Sequence, residues 1–154
     1  MDNLFKLEKE VKMAMNFENY VKDANTWTNK LCNYLGIEDE NKANRIFRAV
    51  LHAIRDRIPT AEAIHLGAQL PILWKGVYYD GFHMHSPVRI RHEDEWLEFI
   101  RTKDAFADKA DFPTLDHAYY AFQDVMKFLR DHISEGQYDQ IAQALHSEIT
   151  VPMA

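Results

Sequence analysis

The side chains best suited to chemistry in this sequence are eight histidines and one cysteine. His52 and His65 flank the turn at Pro59, on two successive predicted helices. Two imidazoles so placed would converge on a ligand or exchange protons. The commoner arrangement is that each lies at the margin of the core with one hydrogen bond satisfied. The sequence leaves both interpretations open.

A second group of histidines lies in the motif His83-Met84-His85. In an extended segment, His83 and His85 project to the same side and would bind one ion together with a carboxylate. A zinc site usually needs three or four ligands, and the nearest acids are Asp80 and Glu93. The sequence therefore predicts no metal site, and it leaves His83 and His85 as weak candidates against the alternative of two surface histidines in a loop.

Catalytic motifs are not recognisable in the sequence. Cys32 lies in the middle of a predicted helix beside the inward-facing Leu31, with no base in a recognised motif. We find no glycine-rich phosphate loop, no HExxH and no GxSxG. The pattern predicts no cofactor and favours a protein that is not an enzyme, while leaving catalysis open.

An aromatic segment, Trp74 to Phe82, contains four aromatic side chains in nine residues. Trp74, Tyr78 and Phe82 share one helical face, and Tyr79 lies beside it. One interpretation is a recognition surface, because Trp and Tyr contribute strongly to interface energies. The other is that Trp74 and Tyr78 are ordinary core residues, because large aromatic side chains are usually mostly buried.

Composition limits the partners of the chain. Residues 78–154 carry 7 basic and 14 acidic side chains, and the whole chain has a net charge of −6. An acidic chain without a large basic tract is poorly suited to nucleic acid or to anionic membranes. The sequence has a single cysteine, no signal-peptide pattern in its first segment and no apolar run near 20 residues. These features predict a cytoplasmic protein.

The elements that position these residues are predicted to be helices, because only five glycines and five prolines leave little room for a many-turned β fold. Apolar spacing predicts an all-α, single helical-bundle domain of about seven or eight helices. The predicted organisation is an amphipathic helix over 1–16, a first helical repeat over 17–82, a connecting loop over 83–92 and a second helical repeat over 93–154. The predicted helices after the first are 17–35, 39–58, 61–70, 72–79, 93–102, 114–133 and 134–148.

The two repeats are related by a shift of 75 residues. Segments 43–71 and 118–146 align without a gap, and seven of the 29 pairs are identical. Among these pairs, Arg55-Asp56 corresponds to Arg130-Asp131, at the end of each long helix. A pair that recurs at the same position of a repeat favours a structural role over a functional one. What occurs in one half alone is freer to be functional.

The stretch FRAVLHAIRDRIPTAEAIHLGAQLPILWKGVYYDGF resembles the signature of a bacterial family of helical proteins known as domain of unknown function 2267. Phe17-Glu18-Asn19-Tyr20 and His132-Ile133-Ser134-Glu135-Gly136 resemble it too. Members typically carry Gln-Leu-Pro in both halves. Here Gln69-Leu70-Pro71 keeps this motif, but the second half reads Ala144-Leu145-His146. The resemblance implies the helical fold and no established activity, cofactor or catalytic residue.

Two functions are consistent with these patterns. The leading hypothesis is a non-catalytic module that binds an unknown protein partner or a second copy of itself, through Trp74, Tyr78, Tyr79 and Phe82. The alternative is a small-molecule-binding protein or enzyme with a pocket between the two repeats, lined by His52, His65, Arg55 and Tyr78.

Overall fold

The computed structural model describes residues 3–4, 6–7, 15–145 and 148–153. Within these ranges the regular structure is entirely helical, with no β-strand, which confirms the all-α prediction. Most of the N-terminal helix predicted over 1–16 lies outside the described residues. The helices are α1 Phe17–Leu35, α2 Glu40–Arg57, α3 Thr60–Ala68, α4 Ile72–Tyr79, α5 Glu93–Thr102, a π-helical segment Ala107–Asp111, α6 Leu115–His132 and α7 Glu135–Leu145.

The helix boundaries follow local capping chemistry. Asp39 and Thr114 accept hydrogen bonds from the backbone N–H groups three residues further on, as predicted for N-caps. Gly36 ends α1 in the left-handed conformation, with φ of 66°. At the start of α3, Pro59 occupies the cap position, and the Thr60 hydroxyl donates to the carbonyl of His85.

Helix α2 lies at the centre of the domain, because it packs against α1, α3, α4, α5, α6 and the π-helical segment. Its broad apolar face is buried, as its spacing predicts. The ring of Phe47 on this face lies 4.7 Å from that of Trp74 and 5.4 Å from that of Phe128. Trp27 of α1 meets Phe128 edge to face at 5.1 Å. These rings join α1, α2, α4 and α6 in one core.

Two predicted apolar faces are less buried than their spacing suggests. The stripe on α1 is buried only in its C-terminal half, around Leu31, because Phe17 and Val21 lie beyond the helices that cover the rest. On α3, Ala63 and Leu66 pack inward while Ile64 is exposed. Periodicity identifies a face, but it does not show how far a neighbouring helix extends along it.

Helices α2 and α6 have the same length and begin 75 residues apart. Helix α1 has no equally long equivalent in the second half. The corresponding stretch contains the shorter α5, a break after Thr102 and the π-helical segment Ala107–Asp111. This break carries two buried acids, Asp104 and Asp111. Because π-helical turns often occur at functional sites, this segment is a candidate part of the functional site.

Candidate functional site

The structure divides the aromatic segment between core and surface. Trp74 and Tyr78 belong to the buried core, with 5% and 0% of their surface exposed, as the core interpretation predicts. Tyr79 and Phe82 are half-buried, with their rings 5.7 Å apart. The Tyr78 hydroxyl donates to the carbonyl of Ala63 at 2.6 Å, and burial raises the pKa of this phenol. Tyr78 therefore ties α4 to α3.

Arg55 and His52 hold α4 against α2. The sequence places Arg55 off the apolar face, but it is 5% exposed and donates to the carbonyls of Tyr78 and Asp80, the latter at 2.7 Å. His52 Nε2 lies 2.7 Å from the carbonyl of Val77. Burial lowers the pKa of His52, so the neutral ring donates its Nε2 proton to that carbonyl. Both side chains cap the C-terminal turns of α4.

The structure places His52, Arg55 and Tyr78 around the contact of α4 with α2 and α3, and it places His65 apart from them. His65 is exposed and lies 3.8 Å from the carboxylate of Glu62 on its own helix. His52, Arg55 and Tyr78 are occupied by the backbone contacts above, and none of them shares a partner with His65. These residues stabilise the packing of α2, α3 and α4.

His83 and His85 lie in the loop that follows α4. Their rings are 6.3 Å apart, and Nδ1 of His85 lies 2.9 Å from the carbonyl of His83. Across the described ranges, no three His, Cys, Asp or Glu side chains are grouped so that they could hold a metal ion. The pair stays a two-residue arrangement without a third ligand.

The recurring Arg-Asp pairs make equivalent contacts. Nε of Arg55 donates to Asp56 at 3.2 Å, and Nε of Arg130 donates to Asp131 at 3.1 Å. Nη1 of Arg55 donates to a carbonyl 23 residues later, that of Tyr78, and Nη1 of Arg130 does the same to Met153. Each arginine thus holds the chain segment that returns to its long helix, which supports a structural role.

A feature not anticipated from the sequence is a cationic groove between α1, α2 and α4, with a volume of about 270 Å³. Two arginines of α2, Arg45 and Arg48, lie three residues apart on one helical face. The apolar side comes from α4, where Leu73 is 41% exposed. The lining residues are Ala24, Asn25, Thr28, Asn44, Arg45, Arg48, Leu73, Trp74 and Val77.

The polar atoms of the cationic groove are mainly hydrogen-bond donors. The Thr28 hydroxyl donates to Oδ1 of Asn44 at 2.8 Å, which leaves the amide N–H groups of Asn44 as donors. Arg48 is exposed and forms no ion pair within the described part of the chain. Guanidinium and amide donors beside an apolar wall suit a ligand that combines anionic and apolar groups. In the sequence, the two arginines three residues apart could have suggested a cationic surface on this helix.

Arg45 connects the cationic groove to the two buried acids. Its Nε and Nη2 donate to the two carboxylate oxygens of Asp111 at 2.8 and 3.0 Å. Beside this pair, Asp104 accepts a hydrogen bond from the backbone N–H of Phe106 at 2.9 Å. Burial and the neighbouring Asp111 raise the pKa of Asp104 to about 6, while Arg45 helps to hold the pKa of Asp111 low. One guanidinium thus faces two buried carboxyl groups.

An acidic groove of about 280 Å³ lies near the start of α6. Asp116, Tyr120 and Asp124 line it and form a stripe at intervals of four residues, called here the acidic stripe. Tyr120 is 65% exposed at the centre of the stripe. Lys42 and His117 also line the groove, and burial raises the pKa of Asp124.

Gly67 provides a test of the packing of α4 on α3. A Cβ added at Gly67 would overlap the hydroxyl group of Tyr79. We expect Gly67→Ala to lower the free energy of unfolding by about 1–2 kcal/mol, although alanine ordinarily favours a helix interior. In a Tyr79→Ala background the same change should be neutral or stabilising. Urea denaturation of the four proteins of this double-mutant cycle measures the reversal, and destabilisation in both backgrounds would contradict it.

The fold and the groove define an all-α domain with a donor-lined surface recess. A family model described as an uncharacterized conserved protein, DUF2267, matches residues 24–151, so the chain belongs to the family of domain of unknown function 2267. No curated protein matches the chain at a significant level of similarity. No helix in the described ranges is both long and apolar enough to cross a membrane.

Proposed function

We propose that the chain is a non-catalytic, cytoplasmic protein-interaction module whose recognition surface is the cationic groove and the apolar side chains around it. The observation that carries this proposal is the placement of Arg45 and Arg48 opposite the exposed face of α4. Ile72 and Leu73 on that face are 49% and 41% exposed. Two exposed aliphatic side chains beside two arginines form a mixed apolar and cationic surface.

The surface continues onto α1. Val21 lies one helical turn before Ala24 and Asn25, which line the groove, and is therefore on the same face of α1. Val21 is exposed, as is Phe17 one turn earlier. The apolar strip thus extends from the groove along α1, which exceeds what a compact small molecule would cover. An amphipathic helix with acidic residues beside its apolar face is the partner that fits this shape and charge.

The groove itself also favours a second candidate, a small organic anion with an apolar part. Its volume is near the lower end for small-molecule sites, and its two arginines supply donors without acceptors. The indole N–H of Trp74, buried beside the groove, has no acceptor within the described ranges. Buried donors without acceptors are uncommon and often lie near functional sites. Both candidates use Arg48, and they differ in their use of Ile72 and Val21.

The test uses a fluorescent, stapled helical peptide whose leucines and glutamates lie on adjoining faces. We expect binding that weakens with salt, and a loss of affinity of at least about tenfold for Arg48→Glu, because reversing the charge replaces attraction with repulsion. Leu73→Asp should have a similar effect. Fluorescence anisotropy measures both, and circular dichroism checks that each variant remains folded.

Two exposed positions outside the groove supply matched controls, Arg89→Glu for the charge and Ile64→Asp for the apolar side chain. Equal losses in the groove and control variants would contradict the proposal. The anionic dye 1-anilinonaphthalene-8-sulfonate separates the two candidates. Dye binding that depends on Arg48, without any peptide binding, would replace the protein partner with a small organic anion.

A further inference from the structure

We propose that the partner of the cationic groove is a second copy of this chain, which presents its acidic stripe, Asp116, Tyr120 and Asp124. This inference rests on the function proposed above, since it names the occupant of the same groove. The stripe offers the chemistry that the groove lacks, namely two carboxylates with an exposed aromatic ring between them.

The acidic stripe presents its charged and aromatic groups one helical turn apart. Asp116 and Tyr120 are separated by four residues, about 6 Å along the axis. Arg48 and Leu73 line the same groove, so a carboxylate that binds Arg48 would leave the ring of Tyr120 to contact the aliphatic side chain. Tyrosine next to arginine and leucine is a composition typical of the energetic centre of an interface. The net charge of −6 does not oppose the contact locally, because Arg48 in the groove forms no ion pair within the described part of the chain, whereas Arg45 is already paired with Asp111.

A chain cannot bind its own acidic stripe in its own cationic groove. Arg45 and Arg48 project from one side of α2, whereas Lys42 and Ile46, which line the acidic groove, project from another. At 100° per residue the mean directions of these two pairs are separated by about 110° around the helix. Because the two surfaces are different and point in different directions from α2, we expect copies to associate head to tail, in a heterologous contact that leaves one groove and one stripe free in each dimer.

Sedimentation velocity over a range of protein concentrations tests this association. We expect the wild-type chain to form dimers and larger species as concentration rises, and to dissociate in high salt. Arg48→Glu alone and Asp116→Asn with Asp124→Asn should each be monomeric at concentrations where the wild type associates. Arg89→Glu, which changes an exposed arginine outside both surfaces, should behave as the wild type.

Mixing the two monomeric variants distinguishes a specific contact from a general effect of charge. An equimolar mixture should give a dimer and nothing larger, because only one intact groove and one intact stripe remain. A wild type that stays monomeric, or a mixture that stays monomeric, would overturn the inference. If the wild type is monomeric but binds the stapled peptide through Arg48, self-association is wrong and the proposed function stands. If the peptide also fails to bind, both are wrong.

Discussion

Arg55→Ala is expected to lower the free energy of unfolding by about 2–4 kcal/mol, the largest effect of any substitution considered for this protein. The side chain is buried, and it donates to the carbonyls of Tyr78 and Asp80 at the end of α4. Alanine leaves both carbonyls without their donor and opens a cavity in the core. It also removes the cation that faces the Phe82 ring at 5.8 Å. Urea denaturation followed by circular dichroism measures the change.

The fold supplies a matched control at the equivalent position of the second long helix. The side chain of Arg130 is 32% exposed, and its contact with the carbonyl of Met153 is long, at 3.3 Å. Arg130→Ala should therefore cost less than about 1 kcal/mol. Equal effects of the two substitutions would show that Arg55 contributes no more than an exposed ion pair. Limited proteolysis should detect earlier cleavage after α4 in Arg55→Ala only.

Asp104→Asn is expected to stabilise the protein at pH 7.5 by about 1–3 kcal/mol. Asp104 is buried beside Asp111, and Arg45 is already occupied by Asp111. When both carboxyl groups are ionised, two negative charges therefore share one guanidinium. Asparagine keeps an oxygen to accept from the backbone N–H of Phe106, and it carries no charge. Thermal unfolding between pH 4 and 8 measures the effect.

The expected pH dependence follows from the direction of the pKa shift. Because the pKa of Asp104 rises from 3.8 to about 6 on folding, the native state binds more protons than the unfolded state between these values. The contribution of this group to stability is fully present below pH 3.8 and is lost as the pH rises through 6. Asp111, with a lowered pKa, contributes in the opposite sense and loses its contribution in acid.

The stabilising effect of Asp104→Asn should therefore be absent below pH 3.8, grow as the pH rises from 3.8 to 6, and be complete above about pH 6. Asp108→Asn is the control, because Asp108 lies four residues further on, in the π-helical segment, with its side chain 88% exposed. Its effect should stay below about 0.5 kcal/mol at every pH. A destabilising effect of Asp104→Asn at pH 7.5 would mean that the ionised carboxylate is favoured in the native state, contrary to this prediction.

Helix positions were predictable because they depend on local signals, namely apolar spacing and the glycine and proline residues at helix ends. Phe17–Leu35, Ile72–Tyr79 and Glu93–Thr102 agree with their predicted bounds, since Gly36, Pro71 and Gly81 terminate or begin helices for steric reasons. The π-helical segment was not predictable. Its backbone depends on the buried carboxylate of Asp111 and its partner Arg45, 66 residues away, and local propensity contains no information about that pair.

The candidate site was less predictable than the fold. Aromatic residues mark both cores and interfaces, so the sequence could not distinguish Trp74 and Tyr78 from a recognition surface. Arg55 illustrates the same limit, because a charged residue is expected at the surface unless its partners are known. Those partners are carbonyls of α4, which only the packing of α4 on α2 brings near. The cationic groove likewise depends on α1, α2 and α4 meeting, and no single segment contains its pattern. The division into two helical repeats stays a prediction.

The position of Arg45 links the binding of a ligand in the groove to the binding of a proton. The same guanidinium lines the cationic groove and neutralises Asp111. An acidic group that draws Arg45 towards the groove removes positive charge from the Asp104–Asp111 pair and so raises its affinity for a proton. Binding of such a group is then accompanied by proton uptake. By reciprocity, mild acid strengthens that binding, and the groove becomes responsive to pH without containing a histidine.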